Sequence, residues 1–165
     1  MGFTRRSFLG SAGALAALEL ASCAQPSSSS TSASQPPPVS IGNGKTFQVG
    51  KPVFFQFPDA SAPAIAVRLS KPISGGVGPG GDIVAYSQLC VHKGCPVNYV
   101  ADREIFMCPC HYSAYDAGKT GAVIIGHATT KLPRITLTYD ASTDAITATG
   151  IEGLVYGRVN DAKLA

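Results

Sequence analysis

From about Lys45 onward the chain alternates short apolar runs with turn residues. Val53-Phe54-Phe55-Gln56-Phe57, Ala64-Ile65-Ala66-Val67-Arg68-Leu69 and Ile83-Val84-Ala85-Tyr86 come first. Glu104-Ile105-Phe106-Met107, Val123-Ile124-Ile125, Ile135-Thr136-Leu137-Thr138-Tyr139, Ala145-Ile146-Thr147-Ala148 and Leu154-Val155-Tyr156 follow. β-Branched and aromatic residues fill these runs because they pack well on a pleated surface, and Gly, Pro, Asp and Ser separate them. Asp140-Ala141-Ser142-Thr143-Asp144 reads as a hairpin turn, since Asp and Ser side chains bond nearby backbone groups. No part of this region carries a long 3.6-residue apolar period. The pattern predicts an all-β, antiparallel fold of sandwich or small-barrel type.

Before Lys45 the pattern changes. Thr4-Arg5-Arg6-Ser7-Phe8-Leu9 opens an apolar stretch from Leu9 to Leu20 and reads as a twin-arginine export signal. The stretch is short for a membrane span and contains Glu19. Leu20-Ala21-Ser22-Cys23 matches a lipobox, so residues 1–22 are expected to be a signal peptide and Cys23 a lipidated N-terminus. Ordinary cleavage nearby, or a retained anchor, with Cys23 incidental, is the alternative. Residues 23–44 are expected to form a tether: Gln25 to Pro38 is rich in Ser, Thr and Pro and lacks the apolar side chains that offset chain entropy. The folded domain is then 45–165. A lipid at Cys23 and a flexible tether would hold that domain in the periplasm, or at the outer face of the cytoplasmic membrane.

Composition adds little beyond this. Charged residues make up 14 % of the chain, against 18 glycines and 12 prolines, which suits a loop-rich β protein. Removing the leader, with Arg5, Arg6 and Glu19, takes the formal charge from +3 to +2. So near-neutral a balance gives no electrostatic footprint for nucleic acid.

The candidate chemistry lies in two clusters, Cys90-Val91-His92-Lys93-Gly94-Cys95 and Cys108-Pro109-Cys110-His111-Tyr112-Ser113. They hold four of the five cysteines and leave Cys23 over, which supports the lipobox. Thiolates and imidazoles at such spacing are metal ligands. A tetrahedral zinc site could use four of them, though it has no need of six Cys and His positions with Gly94 and Pro109 between. Two ordinary disulfides with idle histidines are the other bland reading. Gly94 allows a sharp turn, while Pro96 and Pro109 stiffen the loops. His127, in Ile125-Gly126-His127-Ala128, reads as a surface histidine without a role, the alternative being a residue near the rim of the site. Lys93 either favours an acidic docking surface or is simply solvated.

The clusters resemble the box of the Rieske family, C-x-H-x-G-C…C-P-C-H-x-S. The resemblance implies a [2Fe–2S] cluster with Cys90 and Cys108 on one iron and His92 and His111 on the other. It also implies a Cys95–Cys110 disulfide, and hydrogen bonds from Ser113 to a bridging sulfide and from Tyr115 to a cysteine sulfur. A cluster-binding subdomain at about 87–132 would be set into a larger β base. The stretch Gly126 to Pro133 would cover the cluster from the side. Outside the boxes, Ser74-Gly75-Gly76-Val77-Gly78-Pro79, Asp82 to Ser87, Leu132-Pro133-Arg134 and Gly153-Leu154-Val155-Tyr156-Gly157-Arg158 resemble the small-subunit family of arsenite oxidase. That implies a large subunit with molybdopterin, where substrate is oxidised, and a soluble acceptor such as a c-type cytochrome. This chain would be the electron-transfer subunit and would not itself oxidise substrate. The alternative is the Rieske subunit of a quinol–cytochrome c oxidoreductase.

Overall fold

The computed structural model describes residues 36–158. Ten strands account for its regular structure, apart from one 3-10 turn at Gly44–Thr46. The strands are β1 (Val39–Asn43), β2 (Val53–Gln56), β3 (Pro63–Arg68), β4 (Ile83–Ser87), β5 (Asn98–Val100), β6 (Ile105–Met107), β7 (Ala114–Asp116), β8 (Ala122–Ile125), β9 (Arg134–Asp140) and β10 (Ala145–Glu152). Six form one sheet in the order β1-β10-β9-β4-β3-β2. The other four form a small sheet, β5-β6-β7-β8, inserted in the chain between β4 and β9. All strand pairs are antiparallel. The fold is all-β, and no helix among the described residues is long and apolar enough to cross a membrane.

Burial in β3 and β4 shows how the two sheets are joined. In a strand, successive side chains point to opposite faces. Ala64 and Ala66 of β3, with Ile83 and Ala85 of β4, face one core together with Ile135, Ile146, Ala148 and Ile151. The residues between them, Ile65, Val67, Val84 and Tyr86, face a second core with Val97, Phe106, Tyr115, Ala117 and Leu132. Both faces of these strands are therefore dry, which is why they read as continuous apolar runs and not as alternation. Each large aliphatic side chain so buried stabilises by about 1.5–3 kcal/mol. The second core carries the small sheet and contains Cys90 and Cys108.

Seven of the expected runs are strands; six differ by a single residue at either end, and β10 runs on four residues past Ala148 to Glu152. The eighth, Leu154–Tyr156, is not. Gly153 at φ 102 ends β10, and the chain then leaves the sheet with Val155 buried and Leu154 and Tyr156 outward. Asp59 and Ser61 clip this segment through Arg158, whose guanidinium donates to both Asp59 oxygens at 2.6 Å. The boundary of the tether also needs correction. Val39–Asn43 is β1, paired antiparallel with β10, and Ile41 lies in the first core. Pro37, Pro38 and Gly42 mask that strand in the sequence, and the pairing shifts register between Ser40 and Gly42. Arg5, Arg6, Cys23 and the rest of the expected tether up to residue 35 lie outside the described residues. The hairpin turn is present between β9 and β10, where Asp140 accepts from the Ser142 N–H and hydroxyl at 2.8 and 2.6 Å.

One hydrogen bond links β4 to the small sheet inside the second core. The Tyr86 hydroxyl donates to the Ala117 carbonyl at 2.7 Å, and the Tyr86 ring meets Phe106 edge-on at 5.2 Å. Burial pushes the Tyr86 pKa up to about 12, so the phenol stays a donor. Tyr86→Phe keeps the ring but strips this buried carbonyl of its donor. It should destabilise the domain by about 1–3 kcal/mol in equilibrium urea unfolding, with the denaturant slope unchanged.

Candidate metal centre

Three loops meet at one end of the small sheet. The first joins β4 to β5 and carries residues 88–97; the second joins β6 to β7 and carries residues 108–113; the third joins β8 to β9 and carries residues 126–133. The first two share one backbone plan. The Cys90 N–H donates to the Cys95 carbonyl at 2.9 Å, and the Cys108 N–H donates to the Ser113 carbonyl at 2.8 Å. Gly94 donates back to the Cys90 carbonyl at 2.8 Å, and Tyr112 to the Cys108 carbonyl at 3.0 Å. Gly94 and Tyr112 both have left-handed backbone, at φ 72 and 58. The glycine in the first loop has a second reason: a Cβ at Gly94 would run into the Tyr156 ring. Tyr156 thus braces the first loop, a role that reading Leu154–Tyr156 as a strand did not foresee.

These turns bring the expected residues together. Cys90 and Cys108 are buried, unpaired and near enough for their thiols to hydrogen-bond. Cys95 and Cys110 form a disulfide that ties the first loop to the second. The sulfurs of Cys95, Cys108 and Cys110 lie within 4.8 Å of one another, but the disulfide leaves only the Cys108 thiol of these three to bind metal. The His92 and His111 rings stand edge-on with centroids 4.8 Å apart. His92 is half-buried and His111 exposed, so the imidazole edge of the site faces solvent and the thiol side faces the core. Lys93 is exposed, with no ion pair among the described residues.

The local electrostatics suit metal binding. Burial pushes the Cys90 thiol up, but the Tyr115 hydroxyl and the N–H groups of His92 and Lys93 outweigh it and hold the pKa below its ordinary value. Burial pushes Cys108 up despite the N–H groups of Cys110 and His111, and a thiolate at Cys90 adds to the rise. Cys90 is therefore the first of the pair to ionise. Burial, then the His111, His127 and Lys93 charges, lower the His92 pKa, leaving a neutral ring with a free lone pair at pH 7. His92 Nδ1 is buried with no hydrogen-bond partner. A buried nitrogen without a partner, beside two unpaired buried thiols, is the donor chemistry of a metal site rather than of a packed core. The residues present fit a [2Fe–2S] group with mixed ligands: Cys90 and Cys108 could hold one iron, and His92 and His111 the other.

Two buried hydroxyls belong to residues in or directly after the second loop. The Tyr115 oxygen lies 3.1 Å from Cys90 Sγ. Burial and then the Cys90 sulfur hold the Tyr115 pKa far above the usual phenol range, so the tyrosine is the donor. Ser113 is fully buried, and its Oγ accepts the Ala128 N–H at 3.1 Å, leaving the hydroxyl proton to be donated. His127 is exposed, as expected of a surface histidine, and it also stacks on His92 with centroids 5.3 Å apart, which places it at the rim of the site.

The family follows from this arrangement of sheet, loops and donors. Residues 43–136 match the family described as Rieske [2Fe-2S] domain. The chain belongs to the Rieske [2Fe–2S] family, whose domains bind this cluster and transfer electrons. Among its relatives are two iodate reductase subunits named IdrB. That of Denitromonas iodatirespirans is 36 % identical over 93 % of this chain and 84 % of its own length. That of Pseudomonas sp. (strain SCT) is 38 % identical over 76 % of this chain and 67 % of its own. The soluble domain of the Rieske protein II (soxF) from Sulfolobus acidocaldarius superposes with a TM-score of 0.66 at 27 % identity, over 74 % of this chain and 82 % of that one.

Donors aimed at sulfur favour the reduced, more negative state. Tyr115→Phe and Ser113→Ala should each lower the reduction potential. A lost bond of about 1–3 kcal/mol corresponds to tens of millivolts or more, because 30 mV is about 0.7 kcal/mol for one electron. Voltammetry of the purified protein tests this; a potential unchanged in both variants would remove the roles given to the hydroxyls.

Proposed function

We propose that this chain is the electron-transfer subunit of a molybdopterin oxidoreductase that acts on a small inorganic oxyanion. The observation that carries the reading is the one-sided site: two buried thiols behind, two imidazoles at a solvent-facing edge. Cys90, Cys108, His92 and His111 are the proposed ligands. A bound [2Fe–2S] cluster with such ligands supplies one-electron storage at about −150 to +300 mV. The chain's own residues do the rest. Cys90 and Cys108 sit where the second core keeps water out. The N–H groups of His92, Lys93, Cys110 and His111 and the Tyr115 hydroxyl offset negative charge on the sulfurs. The His92 and His111 rings offer the short route by which a partner can give or take an electron.

Two likenesses support the choice of partner. The iodate reductase subunits match this chain along most of its length. The stretches Ser74–Pro79 and Gly153–Arg158 resemble the arsenite oxidase small subunit. We place substrate chemistry on the large subunit, with molybdopterin, and a soluble carrier such as a c-type cytochrome on the far side of the electron path. Export by the twin-arginine signal at Arg5 and Arg6, and a lipid at Cys23, complete the proposal: a subunit held at the outer face of the cytoplasmic membrane.

The complex tests this directly. Purified with its proposed large subunit, the reduced chain should be reoxidised by iodate, or the oxidised chain reduced by arsenite, on the timescale of turnover. The first result assigns iodate reduction and the second arsenite oxidation. Response to neither, with rapid reduction by a quinol, would replace the reading with a quinol–cytochrome c oxidoreductase.

A further inference from the structure

Ligand counting leaves His127 without a task, yet the structure fixes its place from both sides. Gly126, at φ 105, lies so close to Ser113 that a Cβ there would collide with the Ser113 backbone. One residue further on, Ala128 is buried and its N–H donates to Ser113 Oγ at 3.1 Å. Two anchors, one on each side, set the direction of the intervening residue. The His127 ring they present is stacked on His92, with centroids 5.3 Å apart and planes 23° from parallel. It stands edge-on to His111 at 6.1 Å and 82°.

The contact matters because the χ2 torsion of histidine is broad and does not by itself hold a ring plane. Metal-binding imidazoles are ordinarily held by a hydrogen bond at the nitrogen that does not bind metal. Buried His92 Nδ1 is the nitrogen that faces the metal site, and among the described residues no side chain or backbone group is hydrogen-bonded to the other ring nitrogen. The contacts seen on the ring plane are with other rings. His111 meets it edge-on, at 82°, so the stacked face is the one that His127 covers.

We propose that His127 is a positioning residue: its stacked ring fixes the plane of His92 and keeps water from that face, and through His92 sets the reduction potential. The inference rests on the reading of His92 as an iron ligand. The flat ring is the working part, so phenylalanine should replace it and alanine should not.

The test compares the full-length protein with His127→Ala and His127→Phe. Each is measured for iron content, for ¹⁴N hyperfine couplings of the reduced form and for reduction potential. All three proteins are compared at the same pH. His127→Ala should shift the potential and alter one of the two nitrogen couplings, while His127→Phe should match the parent in both. Loss of iron from His127→Ala with iron kept by His127→Phe would support the same role. Unchanged potential and couplings in His127→Ala would overturn the proposal, and so would loss of iron from both variants, since a flat ring should suffice. Absence of two nitrogen couplings in the parent protein would overturn the ligand reading itself, and the proposal with it.

Discussion

Two buried thiols with no disulfide partner, Cys90 and Cys108, constrain the design of this domain. A thiolate in a dry core is costly unless charge or hydrogen bonds compensate it. Here the compensation comes from the loop backbone. Each cysteine starts a turn that closes on its own carbonyl and directs the next N–H groups at its sulfur. Because the turns are short, each needs a left-handed residue near its end, Gly94 in one and Tyr112 in the other. Because they are separate in sequence, they need a tie, which the Cys95–Cys110 disulfide provides. The same second core that buries the thiols is lined by β3 and β4, so the stability of the six-stranded sheet and the dryness of the site have a common source.

Much of this was legible in the chain. The apolar runs of β2, β3, β4, β9 and β10 stand out because β-branched and aromatic residues there meet no competing demand. β5 and β7 were not foreseen. Each has three residues, and in both the pattern is overwritten by chemistry: Tyr115 of β7 serves the Cys90 sulfur, and β5 lies just beyond the Pro96 turn. β1 falls inside the expected tether because it directly follows the Ser-, Thr- and Pro-rich stretch that ends at Pro38, and only pairing with β10 shows otherwise. Leu154–Tyr156 had strand composition, but Gly153 turns it out of the sheet to brace Gly94. Spacing brought out the four candidate ligands and the two extra cysteines because thiols and imidazoles are rare and their offsets specific. His127 is exposed, as its sequence reads, and its stacking on His92 fits the alternative of a residue near the rim; that placement was not legible because it depends on contacts to Ser113 that come from a strand pairing, not from any local motif.

The site is also polarised in a way that suits electron transfer. On the core side, Tyr115 and Ser113 are fully buried, and the Tyr115 hydroxyl lies against Cys90 Sγ. On the solvent side, His92, His111 and His127 form a group of three rings with no carboxylate in the three loops that carry them. The acidic residues of the small sheet, Asp102, Glu104 and Asp116, lie instead in or beside the β5–β6 and β7–β8 turns, at the other ends of its strands. A partner that approaches the imidazole edge therefore meets rings and Lys93, with no like-charged barrier to an acidic surface.

The central claim is that one end of this domain holds two irons in unlike surroundings, two thiolates on one and two imidazoles on the other. Mössbauer spectroscopy of the ⁵⁷Fe-enriched, reduced protein measures this most directly. Two irons per chain in two distinct quadrupole doublets, a ferric site bound by thiolates and a ferrous site bound by nitrogen, is the result expected. Zinc in place of iron, or two iron sites with the same all-thiolate parameters, would contradict it.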